Sequence, residues 1–247
     1  MARQLDEQLA GRFPVGKRLR VLDVGMGRGA QALRLARIGH QVTGLEQDPV
    51  LIAAARDALA GQPAGIRERM RIIEGDGRDT GVHFLPGSFD VVLCHGVLMY
   101  VEEPDPLLAG LARMLAPGGL LSLLVRNGDA LAMRPGLHGD WTGALTALDT
   151  AAALPHPRVA ADAERGAPVR PGPGVRADRR GALTATLAGI GAPLHSWYGV
   201  RVFTDTAGDD APAPDDLETL LAVEERAGRT DPYRGVAALL HLCGVRG

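Results

Sequence analysis

Three glycines within five residues, Gly25, Gly27 and Gly29, interrupt the segment VLDVGMGRGAQALRLA at residues 21–36, and no other feature restricts the fold of this chain as much. An apolar run that stops at glycine reads as a buried parallel strand, here residues 19–24. The apolar spacing of residues 30–38 reads as the helix that follows, and Gly39 closes it as a C-cap would. Between strand and helix the backbone must turn close beneath a ligand. Residues without Cβ permit both the positive φ values and the close approach. A bare tight turn does not need so many glycines.

The same rhythm continues downstream. Strands are expected at 41–45, 70–73, 89–94 and 120–125, with helices at 49–59 and 105–115. Such alternation predicts a parallel sheet with right-handed crossovers. Residues 129–181 break the rhythm, and 154–176, rich in Pro, Gly, Ala and Arg, are expected to form a mobile loop or lid. Order returns with helices near 183–190 and 215–227, and with strands at 195–205 and 237–242. We read residues 1–247 as a single domain carrying a substrate-side insertion at 129–181.

Net charge is −2, so the chain has no global footprint for long nucleic acids or anionic membranes, although a short RNA loop stays possible. Lys17 is the only lysine against many arginines, a bias that lowers the information in any single arginine. Cys94 and Cys243 have no metal or redox spacing, and there is no signal peptide or long apolar run. These features give the expectation of a cytoplasmic chain with reduced thiols, no metal and no membrane association.

Chemistry concentrates at the expected carboxyl ends of the strands. Glu46, after strand two, suits bidentate acceptance from two ribose hydroxyls. A dinucleotide enzyme would use the same logic, but the third glycine of G-x-G-x-x-G is replaced here by Ala30. Asp23, inside an otherwise apolar strand end, suits a cationic amine or sulfonium better than a pyrophosphate. Asp76 and Gly77 follow strand three, where Asp76 suits an adenine amino group, and His95 follows strand four. Asp23, the glycines, Glu46, Asp76 and His95 thus converge where open α/β sheets bind ligands.

The motifs VLDVGMGRG, GLEQDP, EGDGRD, FDVVLCHGVLMYV and LAPGGLLSLL together resemble those of class I S-adenosylmethionine-dependent methyltransferases, over roughly residues 19–126. The resemblance implies an α/β, Rossmann-like, mostly parallel seven-stranded sheet with an antiparallel last strand. It also implies S-adenosyl-L-methionine as cofactor, with Asp23, Gly25, Gly27 and Gly29 near its methionine part and Glu46 on its ribose. Gln47, Asp76 and Gly77 would surround the adenine, and the His95 backbone would line the site.

The segments LLSLLVRNGDALAMRPGLHGDWTGAL, GVRVFTD and EERAGRTDPYRGVAALLHL resemble the bacterial tRNA 5-carboxymethoxyuridine methyltransferases. That family esterifies the carboxylate of a modified wobble uridine, which implies a tRNA anticodon loop as partner. A carboxylate is already nucleophilic, so positioning and desolvation matter more than a base, and a guanidinium fork positions carboxylates well. If 195–205 is one strand, Trp197, Gly199, Arg201 and Phe203 share a face. Arg201 is therefore a catalytic candidate, and the resemblance adds Asn127, which matches the family's motif after strand five; Arg201, Phe203, Trp141 and Tyr233 are the candidates for contact with the acceptor.

The chain departs from this family at Arg126 and Asp129, and only about twenty residues precede its first strand where the family carries a longer helical N-terminus, which leaves a start codon placed too late or a different cap over the cofactor as alternatives. The six arginines between 158 and 180 read as a solvated loop rather than a basic lip for RNA. A small-molecule carboxylate as acceptor, and a cofactor-binding protein without transferase activity, are the competing readings.

Overall fold

The computed structural model describes residues 1–153, 158–159, 175–206 and 215–247. Seven strands build one sheet: β1 (Arg20–Val24), β2 (Gln41–Glu46), β3 (Met70–Glu74), β4 (Phe89–His95), β5 (Leu115–Arg126), β6 (Leu194–Val200) and β7 (Leu239–Val245). Their order is β3-β2-β1-β4-β5-β7-β6. The first five run parallel, while β7 is antiparallel to both β5 and β6. The carboxyl end of β6 therefore lies at the same end of the sheet as those of β1 to β5. The order reverses between β1 and β4, and ligands bind open α/β sheets at that crevice.

The sequence explains why these strands sit inside. Val21, Leu22 and Val24 of β1 are fully buried, as are Val91 to Cys94 of β4. A strand covered on both faces carries such continuous apolar runs. One face packs Leu22, Val24, Val92, Leu121 and Leu123 under α4 (Pro104–Met114) and α6 (Arg180–Gly189). The other packs Val21, Val91, Leu93 and Leu120 under α1 (Ala2–Arg12) and α2 (Ala30–Arg37). Helix α3 (Pro49–Ala60) begins with Pro49 behind Asp48, whose carboxylate accepts from Val50 N at 2.8 Å. Helix α5 (Trp141–Ala153) and the two-residue antiparallel pairing of Arg158–Val159 with Val175–Arg176 lie within the expected insertion, and most of the expected loop at 154–176 lies outside the described residues.

Helix α1 was not expected, α6 begins at Arg180 rather than 183, and β7 runs Leu239–Val245 rather than 237–242; two further differences lie closer to the crevice. β5 begins at Leu115 rather than 120, because Leu115 pairs with Phe89 before an irregularity that accommodates Pro117, Gly118 and Gly119. The larger difference is β6, which ends at Val200. Arg201 takes φ +58°, and the amides of Val202, Phe203 and Thr204 all donate to the Glu224 carboxylate at 2.8–2.9 Å. Three consecutive amides pointing at one carboxylate is a turn and cannot be a strand. The expected face shared by Trp197, Gly199, Arg201 and Phe203 therefore stops before Arg201.

The outer edge of β6 is covered. Arg234 Nη1 donates to Trp197 O (3.2 Å), Gly199 N to Gly228 O (2.8 Å) and Gln4 Nε2 to Gly199 O (3.1 Å). A Cβ on Gly199 would lie 2.8 Å from the Arg234 backbone, so this approach requires glycine.

Beside β5, Arg176 Nη2 meets Asp178 Oδ1 at 2.7 Å, with both side chains almost wholly buried. Removing one partner of such a pair strands a buried charge. Arg176→Met is expected to lower the free energy of unfolding by about 3–5 kcal/mol, as read by urea denaturation.

Candidate active site

At the end of β1 the chain turns under Leu45: Gly25 N donates to Leu45 O at 2.8 Å. Gly25 (φ +65°) is fixed by packing, since a Cβ there would stand 2.3 Å from Val97 Cγ2. Gly27 (φ +58°) differs, because its Cβ would meet nothing within 4 Å. The loop is thus held from below and open above Gly27. Gly29, also at positive φ, caps α2.

Glu46 is buried and acts as a clamp on this loop. Its Oε2 accepts from Gly27 N (2.9 Å), and its Oε1 accepts from Gln47 N (2.9 Å) and Asp48 N (3.0 Å). A carboxylate offers about four acceptor positions, so one remains, on Oε2. The expected bidentate hold on two hydroxyls would need one of these amides to be released. Gln47 itself is exposed next to the clamp.

Asp23 is buried, and its Oδ2 has no hydrogen-bond partner among the described residues. Desolvation, with the neighbouring Glu46 charge, pushes its carboxyl up to about 7. On the adjacent strand, His95 Nδ1 is likewise buried without a partner. Burial brings the His95 imidazole down to about 4, so at neutral pH it is uncharged. Asp23 pairs in register with Leu93, two residues before His95, which puts both groups on the α1–α2 face of the sheet. Two orphaned acceptors beside an open glycine loop fit a ligand that carries an ammonium group, as the methionine part of S-adenosylmethionine does.

Asp76 accepts from Arg78 N at 2.8 Å and from Arg78 Nε at 3.0–3.1 Å. The Arg78 hydrogen bond holds the Asp76 carboxyl below the usual carboxylate range. Arg78 is largely exposed, and such a solvent-screened pair contributes little, so an adenine amino group can compete with it. Gly77 lies over the end of β1, where a Cβ would stand 2.6 Å from Val24 Cγ1.

The acceptor-side candidates separate into two groups. Asn127 is buried, and its Nδ2 donates to Gly235 O (3.0 Å) and Ala237 O (2.8 Å) while its Oδ1 accepts from Asp129 N (3.0 Å). Both amide hydrogens are spent on backbone, so Asn127 ties the turn at Tyr233–Val236 to the end of β5 and holds other groups in place. Arg201 is half-exposed, 4.0 Å from Asp205, and close in sequence to the exposed Phe203 ring, which lies 6.4 Å from Tyr233. Trp141 is 74% exposed on α5. The guanidinium partners of Trp197 are Arg234 (3.9 Å) and Arg180 (4.8 Å), and Arg201 is not among them.

Sequence reasoning missed Ser122, His241 and Gln4, which join His95 in one buried hydrogen-bonded chain. The available signal was His241, a polar residue in the apolar run LLHLC. Glu224 was also missed, and no local pattern marks it.

The strand order, the glycine loop and the acidic residues after β1 and β2 define a methyltransferase-type α/β crevice. Residues 22–123 match the family described as a methyltransferase domain. The chain is 29% identical to the tRNA 5-carboxymethoxyuridine methyltransferase of Escherichia coli K12 over 242 residues, covering 96% of this chain and 83% of that protein. It is 35% identical to a ubiquinone biosynthesis O-methyltransferase of Xanthomonas euvesicatoria over 108 residues, 44% of this chain and 43% of that one. Its fold is that of a methyltransferase from Methanosarcina mazei, with TM-score 0.63 and 16% identity over 97% of this chain and 96% of that one. Together the domain match, the relatives and the fold support a class I S-adenosylmethionine-dependent methyltransferase with S-adenosyl-L-methionine as its cofactor.

Proposed function

We propose that this methyltransferase esterifies a carboxylate oxygen, and that the acceptor is a carboxymethoxyuridine at the wobble position of a tRNA anticodon loop. The observation that carries this reading is the extent of the match to the Escherichia coli enzyme, which runs through the second half of the chain where class I enzymes build their acceptor sites. The ubiquinone enzymes match fewer than half of the residues.

When bound, the cofactor supplies an electrophilic methyl group on its sulfonium. Asp23 and the glycine loop hold its amino-acid end, Glu46 meets the ribose through its remaining acceptor position, and Gln47, Asp76 and Gly77 flank the adenine. The acceptor carboxylate is ionised at neutral pH and needs no proton removed, so the protein's contribution is orientation and exclusion of water. Arg201 extends from a turn held by Glu224 at the carboxyl end of β6 and pairs the carboxylate. Its present partner Asp205 is distant at 4.0 Å, so the guanidinium fork is available for a stronger bidentate contact. Phe203 and Tyr233 offer exposed ring faces for a flat base. Asn127 supports the turn that carries Tyr233, and Trp141 lies on the insertion side.

The test is incubation with labelled cofactor and bulk tRNA, followed by nucleoside mass spectrometry. A base-labile methyl ester on a modified uridine is the expected product. Unlabelled tRNA, with label appearing in a small carboxylic acid, would establish the metabolite reading that the ubiquinone relatives favour. Arg201→Gly suits the positive φ and removes the guanidinium. It is expected to lower turnover about 10- to 100-fold, the worth of a charge-assisted hydrogen bond, with cofactor affinity unchanged by calorimetry.

A further inference from the structure

The buried chain that begins at His95 has a direction, and that direction can be worked out from its far end. Gly199 O can only accept, so the Gln4 side chain turns its NH2 toward it (3.1 Å) and its Oε1 toward His241 Nδ1 (3.1 Å). Oε1 accepts only, so His241 carries its proton on Nδ1. Burial holds the His241 imidazole well below its ordinary range, which keeps it neutral and leaves a lone pair on Nε2. Ser122 Oγ, 2.8 Å away, must donate to that lone pair. The Cys243 thiol lies 3.5 Å from the same nitrogen and, pushed up to about 12 by burial, keeps its proton. Having spent its single hydrogen, Ser122 Oγ accepts from His95 Nε2 at 2.9 Å. His95 is therefore the Nε2–H tautomer, and its Nδ1 presents a lone pair.

We infer that Gln4, from helix α1, is a positioning residue which fixes His95 as a hydrogen-bond acceptor for the ammonium group of the cofactor's amino-acid end. The inference rests on the cofactor reading of the crevice. The amine is the group with donors to spare: the amino-acid carboxylate has none, and the ribose and adenine belong with Glu46 and Asp76 at the ends of β2 and β3. The Asp23 orphan on the neighbouring strand asks for the same donor. Ser122 is 119 residues from His241, and Gln4 is 237 residues from it, so the relay spans the sheet and reaches the covering helix.

The experiment compares S-adenosylhomocysteine with its deaminated analogue by calorimetry, alongside 15N spectra of histidine-labelled protein. In the wild type the spectra should show His95 with an unprotonated Nδ1, and the amine-bearing ligand should bind more tightly. Gln4→Met and Ser122→Ala break the relay at different points, and each should populate the other His95 tautomer. Each should also weaken S-adenosylhomocysteine about tenfold while leaving the deaminated analogue unchanged. Gln8→Ala, which removes a neighbouring α1 contact to Tyr198 outside the relay, should leave the preference intact. Equal losses for both ligands, or an unchanged tautomer in both variants, would overturn the inference and leave the cofactor site standing. Binding of neither ligand to the wild type would remove both readings.

Discussion

Asp23→Asn is expected to make the ligand-free protein more stable at pH 8 and to weaken cofactor binding by about 10- to 100-fold. The first effect follows from burial. The Asp23 carboxyl stands at about 7 in the folded chain, against 3.8 for an unperturbed group. The folded state therefore binds more protons than the unfolded state between these values. Its contribution is fully present below pH 3.8 and is lost as pH rises through 7, a change of roughly 4 kcal/mol at 1.36 kcal/mol per unit. Urea denaturation across pH 4–8 should show this decline in the wild type and its removal in Asp23→Asn.

The second effect has the opposite sign because an ammonium beside Asp23 favours the ionised form. Cofactor binding near neutral pH should then release a proton, detected by calorimetry in buffers of different ionisation enthalpy. An Asp23→Asn variant that still releases that proton would place its origin elsewhere. The residue thus costs the empty fold stability and returns it on binding.

Glu46→Gln is the second large effect. The wild-type carboxylate accepts from three backbone amides, one of them in the glycine loop. A glutamine must turn its NH2 toward either Gly27 N or the amides of Gln47 and Asp48, which leaves at least one donor unpaired at about 1–3 kcal/mol. With the loop loosened and the proposed ribose contact weakened, cofactor affinity should fall by about 100-fold. The Glu46 charge also contributes to the raised Asp23 value, so the pH-dependent loss of stability should move to lower pH in this variant. Unchanged affinity would mean that the loop holds its shape without the clamp.

The sheet was legible because its causes are local. β1, β2, β3 and β4 are apolar runs that end at Gly, Glu or His, and their observed limits differ from those expected by one residue at most at either end. The arginine turn was not legible, because its cause lies elsewhere in the chain. Residues 195–205 alternate well enough to continue as a strand, but Glu224 gathers the amides of Val202 to Thr204 from about twenty residues downstream. Likewise Asn127 shows its type in the sequence but not its occupancy, since Gly235 and Ala237 are more than 100 residues away. Residue type was readable at these positions, whereas the partner that consumes a donor or acceptor was not.

The covered edge of β6 also bears on how copies of this protein meet. An exposed edge strand offers a ladder of amides and carbonyls to any second strand, the usual route to sheet-to-sheet aggregation. Here Arg234, Gly228 and Gln4 already occupy Trp197 O, Gly199 N and Gly199 O. At these three groups a neighbouring strand finds no backbone pairing left to extend, so this stretch of the β6 edge is closed from within the chain.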